Sequence, residues 1–160
     1  MTKKAASKKS APKKATLKKS VKKASKKEAV FDPVVTHLQT SKCKTVSEKS
    51  ELTYNVSLDD EGQAVIRIAS NTGGGFWSKE YVLLSKIVDV IETIPEDHSI
   101  TSVNFFKLFV GKSQNTPGFL LAVLLKEGLL ESTGKKRQYR MNKSGVEKFL
   151  AKIDKLKSGK

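Results

Sequence analysis

From Leu52 the chain alternates apolar and polar positions, with Leu52, Tyr54, Val56 and Leu58 separated by Thr53, Asn55 and Ser57. A period of two puts the apolar set on one face of a half-buried strand. The stretch DDEGQ (59–63) reads as a turn and AVIRIAS (64–70) as a second strand, so 52–69 predicts a β-hairpin. NTGGG (71–75) then reads as a flexible joint. Beyond it the period lengthens. Ser78 stands where a helix cap belongs, with Glu80 in the first turn. Apolar positions 84, 87, 88, 91 and 94 form one stripe, Ser85, Asp89 and Glu92 lie opposite, and Pro95 ends the helix.

TSVNFFKLFVG (101–111) predicts a shorter second helix closed by Gly111. Thr116 as cap and Pro117 at the first helical position start a third, which stops at Gly128. LLES (129–132), a TGKKR turn and QYRMN (138–142) read as a basic hairpin. From Gly145 an amphipathic helix follows, with Val146, Phe149, Leu150, Ile153 and Leu156 on one face. Residues 28–50 carry a short apolar patch (Val30, Phe31, Val34, Val35, Leu38) in polar sequence and read as a linker or docking segment.

The third helix, GFLLAVLLKEG, has almost no polar face. A helix apolar all round is covered on both sides. The cover has to come from the 52–69 hairpin, from residues 28–50, or from a protein partner or second copy of the chain. Base reading by this helix is therefore not expected. Its approach, Lys112, Ser113, Gln114 and Asn115, is left to touch phosphate with side chains and free helix N–H groups.

Charge changes the picture at both ends. The net charge of +15 divides into +12 over residues 1–27, −6 over 28–106, +1 over 107–132 and +8 over 133–160. The first block holds its twelve lysines as pairs: Lys3 and Lys4, Lys8 and Lys9, Lys13 and Lys14, Lys18 and Lys19, Lys22 and Lys23, Lys26 and Lys27. So few apolar groups accompany them that the segment is expected to be disordered when free. Two basic ends around an acidic middle fit a polyanion gripped by two separate elements. Lysine outnumbers arginine 28 to 3, which favours phosphate neutralisation over bidentate base contacts. In the second hairpin Lys135, Lys136, Arg137 and Arg140 cluster around Gly134, with Arg137 placed to enter a minor groove and sense its width.

Three helices followed at once by a basic two-stranded hairpin resemble the winged-helix family. SITSVNFFKLF, VGKSQNTP, LLAVLLKEGLL and STGKKRQYRMN carry the likeness over about residues 78–142. A winged helix joined to a Lys/Ala/Ser/Pro tail resembles the linker histones, although here the tail precedes the domain and an extra hairpin lies between. FWSK (76–79) and ITSV…LLKEGLL are also similar to a small-subunit ribosomal protein family with a lysine-rich N-terminal arm. Residue patterns and resemblance together lead to the expectation of an α+β chain: a disordered lysine-rich tail (1–27), a linker or docking segment (28–50), an extra β-hairpin with a glycine-rich joint (51–75), a winged-helix domain with a basic wing (76–143) and a C-terminal basic amphipathic helix (144–160).

Other signals carry little. GKS at 111–113 lacks a phosphate-loop glycine, its place being taken by Phe106. His37 and His98 stand apart, and Cys43 is the only cysteine, so neither a metal set nor an intrachain disulfide is expected. Phe76 and Trp77 read as anchors for the first helix. No nucleophile–base pair stands out, so no enzyme, cofactor or small-molecule substrate is expected. Nor is a membrane partner, since no apolar run approaches a span and no secretion-signal core opens the chain. The expectation is non-enzymatic, largely sequence-independent binding and compaction of DNA in a nucleus or nucleoid, or otherwise in the cytoplasm. A structured-RNA or ribosomal role, or a transcription regulator with a partner on the third helix, are the alternatives.

Overall fold

The computed structural model describes residues 35–109 and 113–159. The tail lysines, residues 28–34 and Lys112 lie outside the described residues. The chain is α+β. A four-stranded antiparallel sheet runs in the order β1 (Thr36–Lys44), β2 (Glu51–Leu58), β3 (Ala64–Asn71), β4 (Val82–Leu83). Among the described residues, three α-helices, α1 (Leu84–Glu92), α2 (Thr116–Lys126) and α3 (Lys143–Ser158), and a 3-10 helix (Ser102–Phe109) accompany it. Strands β5 (Leu130–Ser132) and β6 (Tyr139–Met141) form the second sheet.

The expected first hairpin is β2–β3. Its alternation decides the core face: Tyr54 pairs with Ile68 and Val56 with Ile66, and all four are buried. Part of the segment read as linker or docking is in fact an edge strand, β1, paired with β2 from Thr36 opposite Leu58 to Lys44 opposite Glu51, with the register shifting between His37 and Gln39. Its sequence, THLQTSKCK, hides this because eight of its nine residues are not buried, leaving only Cys43 to mark the core side. The glycine joint is tied down as well. Thr72 N–H donates to the Glu51 carbonyl at 2.9 Å, and the Glu51 N–H donates to the Thr72 hydroxyl at 2.8 Å.

The first helix starts later than its capping signal. Ser78 makes a cap-like turn, its hydroxyl accepting from the Glu80 N–H at 3.3 Å and donating to the Glu80 carboxylate at 3.0 Å. The chain then stays extended, because Val82 and Leu83 complete the sheet opposite Ile66 and Val65. Ladder pairing and burial of Val82 outweigh helix propensity here. From Leu84 the predicted stripe holds, with Leu84, Ile87 and Ile91 buried.

α2 lies in the middle of the core, with Leu120, Leu121, Ala122, Val123 and Leu124 buried. It packs against β1, β3, β5 and the 3-10 helix. The cover that its apolar surface demands therefore comes from the chain's own sheet and helix. Both candidate segments contribute, and a partner or second copy is not needed to bury it. Gly128, at φ +81°, ends the helix: its N–H donates to Leu125 O at 3.2 Å and that of Leu129 to Leu124 O at 2.9 Å. This crossed pair is a Schellman termination, which needs the left-handed conformation that glycine adopts without strain.

A polar clasp joins the layers. Buried Tyr54 of β2 donates its hydroxyl to Glu127 at the end of α2, and Lys152 of α3 donates to the other oxygen of that carboxylate at 2.8 Å. Burial, reinforced by the bond to Glu127, pushes the Tyr54 hydroxyl well above its usual range. α3 begins at Lys143, two residues before the expected start, with the Asn142 side chain accepting from the Gly145 N–H at 3.1 Å. Gly145 permits a close approach at this point. A Cβ there would stand 1.8 Å from the Gly128 carbonyl oxygen, so α3 rests directly on the α2 termination.

Candidate nucleic-acid interface

The basic hairpin grows out of the α2 termination. Glu131 pairs with Arg140 and Ser132 with Tyr139. A third short segment closes the small sheet: Ile100 and Tyr139 exchange N–H···O bonds of 2.8 and 3.0 Å. Buried Leu130 and Tyr139 fix the hairpin to the core. The turn is held by Thr133, whose N–H and hydroxyl both donate to the Gln138 carbonyl at 3.2 and 3.0 Å. Gly134 (φ +82°) and Arg137 (φ +60°) take the left-handed backbone that reverses the chain. For arginine that conformation costs about 1 kcal/mol.

Lys135, Lys136 and Arg137 are all exposed at this tip. Arg140 is not equivalent to them: its Nε donates to Glu131 across the strands at 2.6 Å, so the expected fourth cation is already neutralised by its neighbour. One flank of the hairpin borders an open groove of about 830 Å³ whose lining includes Glu92, Glu96, Glu131 and Glu147. The same lining holds Arg140 and Lys143, so carboxylates outnumber ammonium and guanidinium groups there by four to two. Lys143 in the groove is paired with Glu96 at 2.9 Å, and the contact raises the ammonium's pKa and lowers the carboxyl's.

The other expected contacts separate into free and committed groups. On α3, Lys152 belongs to the polar clasp and sits 5.6 Å from the Phe149 ring centre, while Lys157 lies 3.9 Å from Asp154. Lys148 and Lys155 are exposed. At the approach to α2, the Ser113 hydroxyl and the Asn115 amide both donate to the Phe76 carbonyl, at 2.8 and 2.9 Å. They position the preceding loop, leaving Gln114 as the exposed, uncommitted side chain there. Asn115 occupies the α2 cap position without a side-chain cap bond. Thr116, expected as that cap, is fully buried and accepts from the Ser78 N–H at 2.8 Å.

Two aromatic neighbours divide in a way the sequence did not reveal. Trp77 packs against the core as expected, whereas Phe76 is 71% exposed. The signal available was the three glycines before Phe76, which give it nothing to collapse upon. Among the described residues no helix is long and apolar enough to cross a membrane. No family model, curated protein or solved structure matches this chain.

Proposed function

We propose that the chain is a non-enzymatic nucleic-acid-binding protein built on a winged-helix-like domain, with the short hairpin as its wing. The observation that carries the reading is three consecutive exposed cations, Lys135, Lys136 and Arg137, on a hairpin anchored by buried Leu130 and Tyr139. The order α1, Ile100 segment, 3-10 helix, α2, β5, β6, with Ile100 bridged to Tyr139, supports the winged-helix comparison. Burial of α2 argues against base reading by that helix and leaves the hairpin tip and the α3 lysines as the folded contacts. The same burial favours this reading over a partner-binding role of α2.

In this reading the paired lysines of residues 1–27 neutralise successive phosphates and the hairpin places its tip in a groove of a duplex, with little dependence on sequence. Duplex DNA is favoured over structured RNA because the A-form minor groove is wide and shallow and offers Arg137 no narrow groove to enter. Compaction of DNA, as in a chromatin or nucleoid protein, follows from such dense phosphate neutralisation.

The test is a salt titration of binding to duplex DNA and to structured RNA. Replacing Lys135, Lys136 and Arg137 by Gln in the full chain is expected to make the slope of log affinity against log salt shallower by roughly 2–3 on DNA. Folding stability should stay within ~0.5 kcal/mol. Replacing half of the tail lysines by Gln is expected to remove about 5 from the slope. An unchanged slope for the hairpin variant would remove the hairpin from the interface, and tighter binding to structured RNA would turn the reading to RNA.

A further inference from the structure

Four large apolar side chains are exposed among the described residues, Phe76, Val103, Phe106 and Leu150, and Phe76 is the most exposed. What distinguishes Phe76 is the order imposed on its backbone. Its carbonyl accepts from both the Ser113 hydroxyl and the Asn115 amide, and the Asn115 N–H braces Ser113 by donating to its oxygen at 3.1 Å. On the other side, Trp77 packs on the core and the Ser78 N–H is tied to the buried Thr116 hydroxyl. Upstream, Gly75 takes φ +104° and passes so close to Asn115 that a Cβ would stand 3.0 Å from its Nδ2. Around Gly74 there is open space.

The phenyl ring therefore stands on a fixed base, and the three residues before it have no side chains to shield its faces. A free apolar ring ordinarily collapses onto neighbours to leave water. Here the two residues after it are anchored inward while the ring itself is left out. Lys79, three residues on, is exposed and has no ion pair among the described residues, and the nearby Ser78 hydroxyl occupies Glu80. An exposed aromatic face on a held backbone suits a planar ligand, and the exposed Lys79 of the same segment offers an ammonium to a phosphate that ligand carries. Every nucleobase offers a face for such stacking.

We propose that Phe76 is a stacking platform for an unpaired nucleobase, at a single-stranded tail or gap adjoining the duplex that the hairpin grips. This rests on the nucleic-acid reading above and specifies its ligand: a junction between paired and unpaired strand. Ser113 and Asn115 are positioning residues that hold the platform, and Gly75 leaves room for Asn115.

The experiment measures binding of the full chain to a blunt duplex, to the same duplex with a single-stranded tail, and to the single strand, by fluorescence anisotropy. The chain is expected to prefer the tailed duplex. Phe76→Ala should lower that affinity about tenfold, in the range found for loss of one aromatic–base stack, and leave the blunt duplex unchanged. Phe76→Trp should keep the preference, and both variants should melt with the parent because the ring is exposed. Equal weakening on blunt and tailed duplexes, or no change on the tailed one, overturns the platform. A chain that binds the blunt duplex with no gain from the tail also loses the platform but keeps its hairpin interface. Binding to none of the three nucleic acids removes the nucleic-acid reading itself.

Discussion

Two of the antiparallel hairpins among the described residues, β2–β3 and β5–β6, differ in nearly everything except topology. β2–β3 has eight residues in each strand and buries Leu52, Tyr54, Val56, Val65, Ile66 and Ile68. β5–β6 has three residues in each and buries Leu130 and Tyr139. The long hairpin turns through Asp59, Asp60 and Glu61, with the Asp59 carboxylate accepting from the N–H groups of Glu61 and Gln63 at 3.1 and 2.7 Å. The short one turns through Lys135, Lys136 and Arg137. The comparison separates two tasks: the long hairpin carries the core and presents acid, while the short one adds little to the core and presents a cationic tip.

If that division is right, damage to the long hairpin should cost stability first. Ile66→Ala removes a fully buried side chain from the sheet face and is expected to destabilise by about 2–5 kcal/mol. Urea denaturation measures this, and the salt slope of DNA binding below the transition should match that of the parent. Loss of the slope in protein that is still folded would show the two hairpins to be one functional unit.

The short hairpin is vulnerable at its base. Gly145→Ala drives a Cβ into the Gly128 carbonyl, so α3 must shift off the α2 termination that launches β5. The expected cost is about 1–3 kcal/mol by thermal melting, with weaker DNA binding because the Asn142 N–H bond to Leu129 O, 2.9 Å, shares that joint. A variant as stable as the parent would mean that the joint yields freely.

A smaller effect belongs to the sheet alone. Burial raises the Cys43 thiol on β1 to about 11 from its ordinary 9.0. Between these values the unfolded chain has released its thiol proton and the folded chain has not, so stability falls as pH rises from 9 towards 11. Below 9 both states are protonated and the contribution is complete. Cys43→Ala should flatten the profile between 9 and 10, below the range in which the raised Tyr54 hydroxyl adds a fall of its own; an equally steep fall there in the variant would assign it to other groups.

The smallest expected effect sharpens the charge contrast. Glu131→Gln releases Arg140 from its exposed ion pair, at a stability change within ~0.5 kcal/mol. The freed guanidinium should strengthen DNA binding a few-fold at low salt, as read by anisotropy. No gain would place Arg140 away from the phosphate path.

Legibility in the sequence followed burial. β2 and β3 were plain because one face of each is buried and the other is polar. The stripe from Leu84 to Ile91 and the Gly128 stop were plain for equally local reasons. β1 leaves no mark in the sequence because an exposed edge strand has no pattern to read, and its pairing is decided by β2. The α1 start lies later than its capping signal because Ser78 satisfies a cap locally before the sheet claims Val82 and Leu83. At the candidate interface the cluster Lys135, Lys136 and Arg137 could be named from composition, but the commitment of Arg140 to Glu131 and of Lys152 to Glu127 needs neighbours distant in the chain.

By itself the sequence determined the α+β class, the two hairpins, the apolar helix between them and the separation of charge, because periodicity, glycine stops and charge runs are local properties. Only the tertiary structure decided what covers α2, which cations stay free, and why Phe76 is left facing water. Each of those depends on long-range packing: a side chain's partner is set by which surfaces meet, and 3 Å contacts such as those of Asn115 and Ser113 with Phe76 join residues nearly forty positions apart.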